Sequence, residues 1–176
     1  MKKIILLFVM LITFIVSIMT NVESENIIHE AVSVNEIKNL VVYFPRLPDI
    51  KFVPEEIKLD HNISDEEKIK LIINTLIKGT DKANLIDVIP IGSKLNNVYV
   101  RGKTAFVDFS KEFVENHPGG SLGEYNTIYS IVNSITEING IEQVVFLIDG
   151  KQQMVYKGHT QFDVPISRDE AMIVME

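Results

Sequence analysis

The stretch LNNVYVRGKTAFVDF, residues 95–109, decides the fold. Apolar and polar residues alternate on either side of Gly102-Lys103, the pattern of two half-buried strands joined by a two-residue turn. Glycine at the first turn position suits a type II′ turn, which pairs Arg101 with Thr104, Val100 with Ala105, Tyr99 with Phe106 and Val98 with Val107. That register sorts the side chains. Val98, Val100, Ala105 and Val107 take one face and read as core, while Asn97, Tyr99, Arg101, Thr104, Phe106 and Asp108 take the other. The hairpin thus predicts a cross-strand aromatic pair, Tyr99 with Phe106, beside Arg101 on the face away from the core.

Working outward, Ser64-Asp65-Glu66-Glu67 is a capping box, in which a serine oxygen and a glutamate three residues later satisfy free amides of a first helical turn. The apolar spacing of Ile69, Ile72, Ile73, Leu76 and Ile77 predicts a helix over 65–78, stopped at Gly79. Ser121-Leu122-Gly123-Glu124 reads as a second capping box, opening a helix through Tyr125, Ile128, Ile131, Val132, Ile135 and Ile138 that ends at Asn139-Gly140. Between these, Ser110 is expected to cap a short helical turn reaching Asn116. Leu40 to Phe44 is unbroken in its apolarity and reads as a central strand stopped by Pro45. Residues 45–62, with three prolines, read as an irregular connection holding a short extended piece near 51–53. Gln143 to Ile148 is a strand apolar on both faces, ended by Asp149-Gly150, with Met154 to Tyr156 as a short edge partner. Residues 171–175 fit a strand and a helix equally. The order β, α, β, β, α, β gives an α+β fold with two helices packed on one face of a largely antiparallel sheet.

The 176 residues are 46% hydrophobic and 23% charged, which suits one globular domain with an appendage. A net charge of −7 is the wrong sign for neutralising phosphates, so nucleic acid is excluded as a partner. The chain has no cysteine, which removes disulfides, thiolate metal sites and a lipidated N-terminal cysteine. Lys2 and Lys3 precede an apolar run from Ile4 to Met19 that reads as an export segment. At 1.5 Å per residue the run spans roughly 24 Å, a little less than a bilayer core, so residues 1–24 fit a signal peptide and a retained membrane anchor alike. The two lysines hold that end in the cytoplasm in either case and send the rest across. Residues 25–38 read as a tether, 39–165 as the domain and 166–176 as a C-terminal tail.

No glycine-rich phosphate loop, nucleophile elbow, HExxH helix or cofactor motif occurs. His29, His61, His117 and His159 are scattered over tether and loops and read as solvated, without metal-ligand spacing. Asp108, at a strand end, and Glu124, at a helix start, are the candidate carboxylate pair of the kind glycosidases use, although each also has a turn or capping role open to it. Ser110, His117 and Asp108 supply the residue types of a nucleophilic triad within ten positions, a coincidence common by chance. The hairpin's outer face is more informative. Either segment 45–62 or segment 152–175 covers it, or Tyr99, Phe106 and Arg101 form a surface that docks another protein.

Six segments in order carry a resemblance: LVVYFP (40–45), LIKG (76–79), IPIG (89–92), AFVDFS (105–110), GSLGE (120–124) and VVFLIDGK (144–151). Together they resemble the GerMN domain of sporulation and spore germination proteins over roughly residues 39–165. The resemblance implies an extracytoplasmic, non-enzymatic domain similar to the ring-building motif of proteins that assemble between mother-cell and forespore membranes. It implies no cofactor and no catalytic residue, and it marks Asp108, Ser110, Gly120, Ser121, Glu124 and Gly150 as motif positions with structural roles. Members of that family are typically membrane-tethered, often as lipoproteins, and one carries two such domains in tandem; this chain shows a single copy and no cysteine. The expected function is assembly with envelope or sporulation-complex proteins, with membrane contact through the N-terminal segment if it is uncleaved. The alternative is a cell-wall glycan-binding or hydrolytic protein using Asp108 and Glu124.

Overall fold

The computed structural model describes residues 39–174. Its elements run β1 (Leu40–Arg46), β2 (Lys51–Ile57), α1 (Asp65–Lys78), β3 (Leu95–Arg101), β4 (Thr104–Phe109), α2 (Glu112–Glu115), α3 (Ser121–Ile135), β5 (Gln143–Ile148) and β6 (Ile166–Ser167). The expected export segment and tether, residues 1–38, lie outside the described residues. Among the described residues no helix is long and apolar enough to cross a membrane.

The hairpin forms in the expected register, Arg101 opposite Thr104 through Val98 opposite Val107. Gly102 has φ of 58° and Lys103 does not enter the positive region, as a type II′ turn requires. α1 also forms as read: Ser64 accepts from the Glu67 amide and the Glu67 carboxylate accepts from the Ser64 amide. The fold is α+β, with helices on the core face of β3, β4 and β5. Ile69, Ile72, Ile73 and Leu76 of α1 and Ile128, Ile131 and Ile135 of α3 join Val42, Phe44, Val107, Val144 and Phe146 in one buried cluster. Burial of each such side chain stabilises the fold by about 1.5–3 kcal/mol.

The sheet is divided, which the sequence did not show. β1 and β2 form a two-stranded antiparallel sheet, and β3-β4-β5-β6 form a second in which only β4 and β5 run parallel. β1 is therefore not a central strand, nor does Pro45 stop it: Pro45 pairs with Phe52, and its carbonyl accepts from the Ile86 amide. The stretch read as irregular holds β2 because each strand of a two-stranded sheet has an open edge, where a proline's missing donor costs little. Pro54 sits there opposite Tyr43. The outer edge of β2 takes the last described residues: the Phe52 amide donates to Met172 and the Val174 amide to Phe52. Residues 166–174 thus join the domain through β6 and this extended pairing. Met154 to Tyr156 do not pair with β5; the Tyr156 amide donates to Thr160, and β6 lies against β5 instead.

Candidate functional site

On the hairpin's outer face the Tyr99 and Phe106 rings stack with centroids 4.6 Å apart and planes 8° from parallel. The Arg101 guanidinium lies over both, 5.2 Å from the Tyr99 centroid and 5.9 Å from that of Phe106. A cation over a ring face is held by the ring quadrupole, so the three side chains form one preorganised unit. β5 adds Val145 opposite Phe106 and Leu147 opposite Asp108. Both rings remain half-buried and Arg101 is exposed. Among the described residues Arg101 has no carboxylate within ion-pair distance. The rim is polar, with Lys103 against Glu142 at 2.5 Å and the Gln143 side-chain Nε2 donating to Thr104 Oγ1.

Parts of both segments expected as a cover pair elsewhere, although Val145 on this face is itself buried. Lys51–Ile57 is β2, and residues 172–174 pair with it. Tyr156 and Phe162 turn to the core side, where Phe162 stacks on Phe146 at 4.9 Å and Tyr156 meets Phe113 at 5.1 Å.

The two candidate carboxylates are not brought together. Asp108 shares the outer face with Phe106, and its Oδ1 accepts from the Gly150 amide at 2.9 Å. That amide belongs to the turn Ile148-Asp149-Gly150-Lys151, where positive φ at both central residues (47° and 76°) marks a type I′ turn. Glu124 lies on α3, in the layer over the opposite face. Its side chain is fully buried and accepts from the His159 amide (3.1 Å), the Thr160 amide (2.9 Å) and His159 Nδ1 (2.8 Å). Burial pushes this carboxyl up, but the hydrogen bonds from His159 and Thr160 outweigh it and hold the pKa down at about 2.

The second capping box does not form. Gly120, with φ of 88°, takes the cap position, and Ser121 becomes the exposed first residue of α3. Glu124 is thereby freed from the helix end to bind the 159–160 backbone. Ser110 does not cap α2 either, since Lys111 stands at that position; Ser110 Oγ accepts from the Lys94 amide at 3.1 Å. His117 is not solvated. It is buried, Nδ1 accepts from the Gly119 amide (2.9 Å) and Nε2 faces Thr127 Oγ1 (3.1 Å). Because the Thr127 hydroxyl spends its proton on the Val88 carbonyl, Nε2 carries the imidazole hydrogen. Burial also pushes the His117 pKa down. The ring is a neutral structural link between α3 and the segment before it, with Ser110 bound to a different element. The backbone partners of Glu124 had no signal in the sequence, because a main-chain amide advertises no residue type.

Residues 41–154 match the Germane family, described as "Sporulation and spore germination". The chain belongs to the Germane family. Solved structures similar to this Germane domain include one titled "Putative Lipoprotein from Clostridium perfringens", with 25% identity and a TM-score of 0.56 over 74% of this chain and 87% of that one. The first GerMN domain of the Bacillus subtilis sporulation protein GerM has a TM-score of 0.58 at 18% identity, over 76% of this chain and 98% of that one. The tandem GerMN domains of the same protein give 0.56 at 21% identity over 75% of this chain, which spans 45% of theirs. These two show that the Germane domain shares the GerMN fold. No curated protein matches the sequence.

Proposed function

We propose that this Germane domain is a non-enzymatic assembly module outside the cytoplasm, which docks an envelope or sporulation-complex protein on the face formed by Tyr99, Arg101 and Phe106. The observation that carries the reading is the stacked, half-exposed ring pair under a guanidinium without a carboxylate partner among the described residues. Such a unit suits a protein surface that offers an apolar group beside an acidic one, since aromatics and arginine dominate interface energetics. Export is supported by the lysine-flanked apolar N-terminus, and an envelope setting by the likeness to the clostridial protein. Glycan hydrolysis through Asp108 and Glu124 is disfavoured, because each carboxylate is bound to main-chain amides on a different face of the sheet.

Replacing Tyr99 and Phe106 together with serine should leave cooperative melting intact, with a loss of about 1–2 kcal/mol from the ring contact and its partial burial. Spore formation or germination in cells carrying that pair as their only copy should fall to the level of cells lacking the protein. Wild-type spore yield and germination from a stably folded double variant would refute the docking role of this face.

A further inference from the structure

The turn between α3 and β5 carries a covalent weak point. Asn139-Gly140 is the chain's single Asn-Gly pair, and it stands at the centre of a turn closed by the Ile141 amide donating to the Ile138 carbonyl at 3.1 Å. Gly140 has φ of 91°, a conformation that glycine adopts at no steric cost. Both residues are exposed, and a side chain placed at Gly140 would meet nothing within 4 Å. Among the described residues the Gly140 amide donates to no acceptor and the Asn139 carboxamide makes no hydrogen bond. A main-chain nitrogen and the side-chain carbonyl carbon before it are therefore adjacent, open to water and untied. The pair Asp149-Gly150 differs at this point, because Asp108 Oδ1 accepts from the Gly150 amide at 2.9 Å.

We infer that Asn139-Gly140 is a site of spontaneous deamidation, with water as the only co-reactant. The Gly140 nitrogen gives its proton to hydroxide and attacks Asn139 Cγ. The new N–C bond closes a succinimide ring as the carboxamide nitrogen leaves and is protonated to ammonia. Water then adds to either ring carbonyl and breaks that carbonyl's bond to the ring nitrogen. Opening at Cγ leaves an aspartate; opening at the main-chain carbonyl leaves an isoaspartate, whose chain runs through Cβ. Asparagine counts among the thermolabile residues, and a following glycine favours closure because no Cβ crowds the attacking nitrogen. Either product adds one negative charge. Isoaspartate also adds a methylene to the main chain between Ile138 and Ile141, both of them buried. The next residue, Glu142, donates its amide to the Lys103 carbonyl at 2.9 Å, so the lengthened turn lies beside the rim of the hairpin face.

The test incubates the full chain in detergent, at neutral and at mildly alkaline pH, in water enriched in the heavy oxygen isotope. Digestion in acid and mass spectrometry follow, with the free peptide of residues 136–142 as the clock. Residue 139 should lose ammonia and gain one heavy oxygen, faster at the alkaline pH, as two separable products. Asn139→Gln should show no such change, and Asp149-Gly150 should gain no isoaspartate over the same period. The isoaspartyl fraction should melt below the parent, whereas Asn139→Asp, which carries the charge without the added methylene, should melt with it. An intact Asn139 in the folded chain after the free peptide has converted would overturn the inference. Conversion no faster than at Asn96, which is also exposed but precedes an asparagine, would overturn it as well. Isoaspartate arising at residue 149 as fast as at residue 139 would do the same, since the amide there is held.

Discussion

Acidification from pH 4.5 to pH 2 should cost the domain roughly 3 kcal/mol through Glu124 alone. The carboxyl's folded pKa, about 2, lies below its ordinary 4.5. As pH falls, the unfolded chain therefore takes up this proton first, and stability that is complete above 4.5 drains away until the folded group titrates. In Glu124→Gln the loss should be present at every pH. The amide keeps one acceptor but turns an NH₂ toward donors at His159 and Thr160, so the melting temperature at pH 7 should fall by about 10 °C. The same variant should lose most of the acid-side slope between pH 4.5 and 2. Equal slopes in the two proteins would show that Glu124 is not the group that titrates.

Phe113→Ala should be the most damaging single truncation, at about 3–5 kcal/mol. Phe113 is fully buried on a helix of one turn, stacked on Phe109 at 4.1 Å, with Tyr156 at 5.1 Å and Phe146 at 6.4 Å. The Tyr156 hydroxyl donates to the Phe113 carbonyl at 2.7 Å, which clips the loop after β5 to α2. Removal of the ring should lower the denaturation midpoint and speed amide exchange at residues 154–162 more than at the hairpin. A fall of under about 1 kcal/mol would mean that the site collapses around the gap and that this cluster is not the anchor described.

Where one residue type imposed a local geometry, the sequence was legible. Gly102 set the turn, and alternation then left one register for the hairpin; Ser64 and Glu67 marked the start of α1 through their reciprocal capping. Reading failed where a tertiary partner decided. β2 carries Pro54 and the acidic pair Glu55-Glu56, which look irregular until the strand is seen to pair along its length with β1 on one side, the other edge bonding residues 172 and 174 through Phe52 alone. Ser121 has the type and spacing of a cap, but the left-handed Gly120 before it moves the helix start and releases Glu124 to the 159–160 amides. Tyr99, Phe106 and Arg101 were legible as neighbours because cross-strand pairing follows from register alone. That residues 51–57 and 172–174, parts of the two segments expected as a cover, pair with each other and with β1 instead was not legible, because it depends on where distant residues pair.

The most direct test of the docking reading is photo-crosslinking in sporulating cells, with the reactive residue placed at Lys103 beside the ring pair and, as a control, at exposed Lys70 on α1. One defined envelope-protein adduct is expected from Lys103, absent in the Tyr99→Ser, Phe106→Ser background and absent from Lys70. The same adducts from both positions, or a Lys103 adduct that persists when both rings are removed, would contradict it.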